Sequence, residues 1–95
     1  MIKVFRHAPR YKRSMARLRK KPDAGLAIRH FRQQAGLSQD GLADRLDISP
    51  PYISMLESGR RYPSIEMLIR IAKALEVSPG DMLNFIAERY TERNN

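Results

Sequence analysis

Apolar residues fall into five short clusters at helical spacing, separated by the small polar residues, glycines and prolines that begin and end helices. From Ala24 to Ala35, Leu26, Ala27, Ile28 and Phe31 are interleaved with Arg29, His30, Arg32, Gln33 and Gln34, which predicts an amphipathic helix. Gly36 supplies the left-handed residue that closes it, with Leu37 folding back on the last turn. Ser38 then caps a short second helix whose face is Leu42, Ala43 and Leu46. Asp47 follows where the chain must turn, a position better suited to glycine but one that Asp tolerates. Ser49 is placed to cap a third helix, with Pro50 and Pro51 in its first turn, Ile53 and Leu56 inward, and Gly59 at its end.

After the loop Arg60-Arg61-Tyr62-Pro63, Ser64 caps a fourth helix in which Ile65, Leu68, Ile69, Ala72 and Leu75 form the clearest stripe in the chain. Ser78-Pro79-Gly80-Asp81 opens a fifth, continued by Met82, Leu83, Phe85, Ile86 and Tyr90. Strand alternation is confined to Ile2-Lys3-Val4-Phe5, so the expected fold is an all-α bundle. Phe85, Ile86 and Tyr90 leave two alternatives: a self-complementary dimer seam or packing back on the first helix. The seam is favoured because a chain of 95 residues has little interior left to bury them.

Length limits the chain to one small domain, and the absence of cysteine excludes disulfides, thiolate metal sites and cysteine nucleophiles. The two histidines, His7 and His30, are far apart, so neither a metal nor a cofactor is expected. No apolar run approaches the length of a membrane span or a signal peptide, and the expected setting is soluble and cytoplasmic, at the nucleoid. Charge changes the picture more. Residues 1–22 hold Lys3, Arg6, Arg10, Lys12, Arg13, Arg17, Arg19, Lys20 and Lys21 and no acid, while the remainder has nine basic and ten acidic residues. The chain therefore divides into a basic N-terminal arm, 1–22, closed by Pro22, and a nearly neutral helical body, 23–95. A polyanion is the expected partner of the arm. Tyr11, Met15 and Leu18, at i, i+4 and i+7, would let part of it become helical on that partner.

Gly36-Leu37-Ser38-Gln39, Leu42-Ala43, Ile48-Ser49-Pro50, Tyr52-Ile53-Ser54, Glu57-Ser58-Gly59-Arg60 and Pro63-Ser64 together resemble the helix-turn-helix regulators of the Cro/C1 type, the XRE family. The likeness runs from about Leu26 to Leu83. It implies a five-helix, lambda-repressor-like domain that binds double-stranded DNA, usually as a homodimer on a two-fold operator, with the helix starting near Ser49 in the major groove. Ser38 and Gln39 then stand at a helix start suited to a phosphate, and Arg60 and Arg61 are placed to hold the DNA backbone. Arg32 and Glu57 match positions that pair across the first and third helices in family members, a structural role.

The reading face departs from the family pattern. Pro50, Pro51 and Met55 stand where family members carry long amides or arginines, and they cannot make a bidentate hydrogen bond to a base. Ser49, Tyr52 and Ser54 remain for polar contact, with the proline rings and the thioether available for thymine methyls. Specificity is then expected to lean on DNA shape and on entry of the arm into an A·T-rich minor groove. A dimeric repressor is the first reading, and phage repressor, restriction-modification controller and antitoxin with a toxin partner stay open within it. The alternative is an interaction module whose body binds a protein and whose arm binds RNA. No catalytic constellation is present, so no enzymatic activity is expected.

Overall fold

Three of the turns between helices use the same chemistry. The structure is a computed structural model that describes residues 21–94, and within them the chain forms α1 (Ala24–Gln34), α2 (Gln39–Leu46), α3 (Pro50–Ser58), α4 (Ile65–Ala74) and α5 (Pro79–Asn94). The cations Lys3 to Lys20, the Tyr11, Met15 and Leu18 stripe and the Ile2–Phe5 fragment lie outside the described residues. At the end of α1, Gly36 is left-handed (φ 73°), its N–H donates to Gln33 O and Leu37 N–H donates to Arg32 O. Asp47 (φ 57°) with Ile48, and Glu76 (φ 58°) with Val77, close α2 and α4 by the same pair of bonds. In each, the aliphatic residue is half-buried against the core and a serine follows. This arrangement satisfies the last carbonyls of one helix and delivers the cap of the next.

Ser38, Ser64 and Ser78 accept from Gly41, Met67 and Asp81 N–H at 2.9–3.0 Å, and Asp23 does the same for Leu26 at the start of α1. Ser49 corrects the expectation. It occupies the N-cap position of α3 in extended conformation but makes no side-chain cap bond. The second proline explains this: Pro51 removes the N–H at the second helical position that a cap serves, and the third, Tyr52 N–H, donates to the Ser49 carbonyl instead.

The core comprises Ala24, Ala27 and Ile28 of α1, Leu42, Ala43 and Leu46 of α2, Ile53 and Leu56 of α3, Ile71, Ala72 and Leu75 at the end of α4, and Met82 and Ile86 of α5. Among the described residues, the core runs from Ala24 to Ile86. Helix α1 packs on α3 and α5, α2 on α3 and α4, and α4 on α5. The α1–α3 contact depends on Gly25: a Cβ there would stand 2.5 Å from the carbonyl oxygens of both Leu56 and Glu57. Two arginines exchange caps between α2 and α4, with Arg45 donating to Ala74 O (2.8 Å) and Arg70 donating to Leu46 O (2.9 Å). Each guanidinium thus meets the negative end of a helix dipole.

Of the two alternatives for the C-terminal residues, Phe85 and Ile86 follow the second, packing back on the first helix. Ile86 is core, and Phe85 stacks on His30 (4.5 Å, 24°) and meets Phe31 edge-on at 5.5 Å, with the Arg89 guanidinium 3.7 Å above its ring. Helix α5 folds back along α1, and this gives both residues an interior after all. Tyr90 is half-buried on the same helix. The apolar residues left outside belong elsewhere: Ile65 is 73% exposed, Leu83 59% and Ile69 39%.

Candidate nucleic-acid interface

Helices α2 and α3 with the turn between them are fixed by one carboxylate. The Glu57 side chain, on the last turn of α3, is fully shielded from solvent. Arg32 of α1 donates to it twice, Nε to Oε2 at 2.6 Å and Nη2 to Oε1 at 3.0 Å, and its third nitrogen, Nη1, donates to Leu37 O at 2.7 Å. The structure therefore brings together the pair expected from the resemblance. Two further partners were not foreseen: Gln39 Nε2 donates to Oε1 at 3.0 Å from the first turn of α2, and Arg29 Nε reaches the same oxygen at 3.4 Å from a half-exposed position. Arg29 and Arg32 are three apart and so share a helix face, which is the signal that would have found the second arginine.

Burial pushes the Glu57 carboxyl up, and the hydrogen bonds from Arg32, Gln39 and Arg29, with the charge of Arg32, outweigh it, so its pKa lies below the ordinary carboxylate value. The Glu57 hydrogen bond raises Arg32 against the opposing effect of burial. Both groups stay charged at neutral pH, and α1, α2 and α3 are joined at one point.

Around this point stand the residues proposed to meet a ligand. Ser38 is exposed and spends its hydroxyl on Gly41 N–H. Gln39 is half-buried, with one amide hydrogen committed to Glu57 and the other amide hydrogen and its carbonyl remaining. Ser49, Pro50, Pro51 and Ser54 are exposed on α3, and Met55 is half-buried. Tyr52 is half-buried and packs against the core, so only an edge of it faces outward. Because Ser49 is free of capping, its hydroxyl is an uncommitted group at the tip of α3. Arg60 and Arg61 are exposed just after left-handed Gly59 (φ 84°), where Arg61 N–H donates to Met55 O. Gln39 thus reaches the carboxylate three residues before Arg60.

Tyr62 follows the two arginines in the loop after α3. Its hydroxyl donates to Pro22 O at 2.8 Å, and Lys21 Nζ lies 5.4 Å from its ring centroid. A loop tyrosine bonding forty residues away leaves no local sequence signal.

Two short helices joined by a tight turn, the second with its front turn exposed and its rear turn locked by a buried ion pair, define a helix-turn-helix domain of the DNA-binding regulator class. The chain belongs to the helix-turn-helix family, whose family model matches residues 28–82. It is similar to an uncharacterised HTH-type transcriptional regulator of Mycobacterium tuberculosis strain H37Rv, 48% identical over 54 residues, which are 57% of this chain and 39% of that protein. It also resembles the control protein C.BamHI of Bacillus amyloliquefaciens, 39% identical over 62 residues, 64% of this chain and 76% of the relative. Among solved structures, the clp gene regulator ClgR of Corynebacterium glutamicum aligns with a TM-score of 0.71 at 35% identity, covering 76% of this chain and 77% of that one. The chain spans about two fifths of the length of the mycobacterial relative.

Proposed function

We propose that the protein is a DNA-binding transcriptional regulator, most simply a repressor, that acts in the cytoplasm as a homodimer on a two-fold symmetric operator. The observation that carries this reading is the Glu57 junction, which holds α1, α2 and α3 in one orientation and leaves the front of α3 uncovered. A recognition helix must be rigid to hold register on base edges. Gln39 and the start of α2 meet a phosphate, and Arg60 and Arg61 hold the DNA backbone at the far end of α3. The tip offers Ser49 and Ser54 for hydrogen bonds and Pro50, Pro51 and Met55 for thymine methyls. Selectivity beyond these contacts comes from DNA shape and from the basic segment 1–22.

The dimer seam moves from Phe85 and Tyr90 to the groove of about 260 Å³ between α4 and α5, lined by Ile65, Leu68, Ile69 and Leu83, with Ile86 at its floor. Its exposed aliphatic residues on two adjacent helices form a patch that a second copy buries by two-fold symmetry. Sedimentation and DNA titration of wild type and Leu83→Asp test the assembly. The wild type is expected to be a dimer at micromolar concentration, and Leu83→Asp a folded monomer whose affinity for two-half-site DNA falls roughly a hundredfold through lost avidity. A wild type that stays monomeric both alone and on DNA overturns it.

A further inference from the structure

Glu57 has more positive charge around it than one carboxylate neutralises. Arg32 alone satisfies it in fork geometry, with Nε on one oxygen at 2.6 Å and Nη2 on the other at 3.0 Å. Arg29 brings a second guanidinium to the same group, reaching only Oε1 and only at 3.4 Å. Arginine stays protonated, so two guanidiniums against one carboxylate leave one positive charge in surplus at the junction. That surplus lies at the surface. The Glu57 side chain is fully shielded and that of Arg32 is 11% exposed, whereas that of Arg29 is 47% exposed. Arg29 turns its Nε to the carboxylate, and its outer edge, Nη1 and Nη2, has no partner among the described residues.

Other uncommitted donors stand beside that edge. Gln39 Nε2 donates to the same Oε1 at 3.0 Å, so the first side chain of α2 and the Arg29 guanidinium of α1 converge on one atom. Gln39 keeps a second amide hydrogen. Ser38 takes up Gly41 N–H with its hydroxyl and Leu42 N–H with its carbonyl, while the N–H groups of Gln39 and Asp40 have no partner among the described residues. They lie at the positive end of the α2 dipole. The acid of that first turn, Asp40, is exposed and lies about 100° around the helix from Gln39. Donors from two helices and one surplus charge thus meet at one place. A backbone phosphodiester, with a single negative charge and two free acceptor oxygens, matches both.

We propose that Arg29 is a DNA-phosphate ligand, bridging the buried Glu57 carboxylate to the phosphate that Gln39 and the start of α2 engage. This rests on the reading of the chain as a DNA-binding protein, and it adds a residue of α1 to a face otherwise built from α2, α3 and the loop after α3. The carboxylate gives the guanidinium a direction: with Nε held, its outer edge is presented beside Gln39. Phosphate contacts are independent of sequence, so binding of the full chain to a random duplex of about 30 base pairs is titrated against salt. Five proteins are compared: wild type, Arg29→Gln, Gln39→Ala, the double variant, and Lys73→Gln, which removes an exposed cation from the last turn of α4. Melting temperatures are recorded for all five.

Each neutralised phosphate contributes about 0.9 to the slope of log K against log salt, so Arg29→Gln is expected to flatten it by about 1 per bound subunit and to weaken binding at low salt about tenfold. Its melting temperature should stay within a few degrees of wild type, since a half-exposed ion pair adds little stability. Lys73→Gln should change neither slope nor affinity. Arg29 and Gln39 serve one phosphate, so the double variant should bind about as weakly as Arg29→Gln, far short of the two losses multiplied. The inference is overturned if Arg29→Gln behaves like Lys73→Gln, or if the two losses multiply, which diffuse attraction by separate groups would produce. It is overturned equally if the weaker binding comes with a large fall in melting temperature, the mark of a mere brace between α1 and α3. A wild type that binds no duplex at low salt overturns instead the reading beneath it, and the inference with it.

Discussion

Glu57→Ala strips the carboxylate from the point where α1, α2 and α3 meet. Arg32 loses bonds of 2.6 and 3.0 Å and keeps only the Leu37 carbonyl, although its side chain is 11% exposed and cannot turn to water. Breaking a buried pair on one side leaves an uncompensated charge and costs about 3–5 kcal/mol. Arg29 adds little, because its side chain is half-exposed and an ion pair in that setting contributes under about 1 kcal/mol. A domain this small has stability near the lower end of about 5–15 kcal/mol, so the variant should retain only a fraction of it. The melting temperature should drop by at least about 12 °C. Thermal and urea unfolding followed by circular dichroism measure this, with Glu66→Ala, on an exposed position of α4, as the control that should not move. The sharper arm is the double variant Arg32→Met/Glu57→Met, in which no charge is left buried. It should recover most of the loss even though two residues are changed. The reasoning fails if Glu57→Ala melts like Glu66→Ala, or if the double variant is as unstable as the sum of its single variants.

The same carboxylate makes stability depend on acid: its folded pKa is depressed, so its contribution is complete above the unfolded value of about 4.3 and disappears as pH falls through the folded one. The stability gap between wild type and Glu57→Gln should thus be flat from pH 8 to about 5 and close below about 4 in urea titrations. Gly25→Ala should destabilise by at least about 1–3 kcal/mol in the same assay, since a Cβ 2.5 Å from two backbone carbonyls forces α1 and α3 apart. Glu76→Gly should raise stability by about 0.5–1 kcal/mol by relieving a left-handed residue with a long side chain. Phe85→Asp should lower the melting temperature, because Phe85 packs on His30 and Phe31, and a variant that keeps wild-type stability would contradict that placement.

Elements governed by local chemistry were legible in the sequence. Gly36, Ser38, Gly59, Ser64 and Ser78 declare turns and caps whatever surrounds them, and with the apolar spacing they place all five helices. Glu76 escaped notice because a left-handed glutamate looks like any helical one. Ser49 was misread because capping depends on which N–H groups its neighbours leave, and Pro51 leaves none at the second helical position. The α4 stripe gave a helix but not its inner side: Ile71 and Ala72 face the core while Ile65 and Ile69 face out, since periodicity fixes a face and only neighbours decide what covers it. Within the site, Arg32 and Glu57 were reachable through the family resemblance. Gln39 as a Glu57 partner, Gly25 under the α3 carbonyls and Tyr62 on Pro22 are tertiary facts, set by helix positions that no run of adjacent residues encodes.

Hydroxyl-radical footprinting of the full chain on the DNA upstream of its own gene tests the central claim most directly. A two-fold dimer with α3 in successive major grooves should protect two patches on one face of the duplex, centred about 34 Å apart and related by a dyad. Pro50→Ala/Pro51→Ala should leave protection of the flanking phosphates in place while changing the preferred sequence between them. Contradiction would come from a full chain that protects no DNA at micromolar concentration in low salt, or from protection that is continuous and the same on every sequence offered.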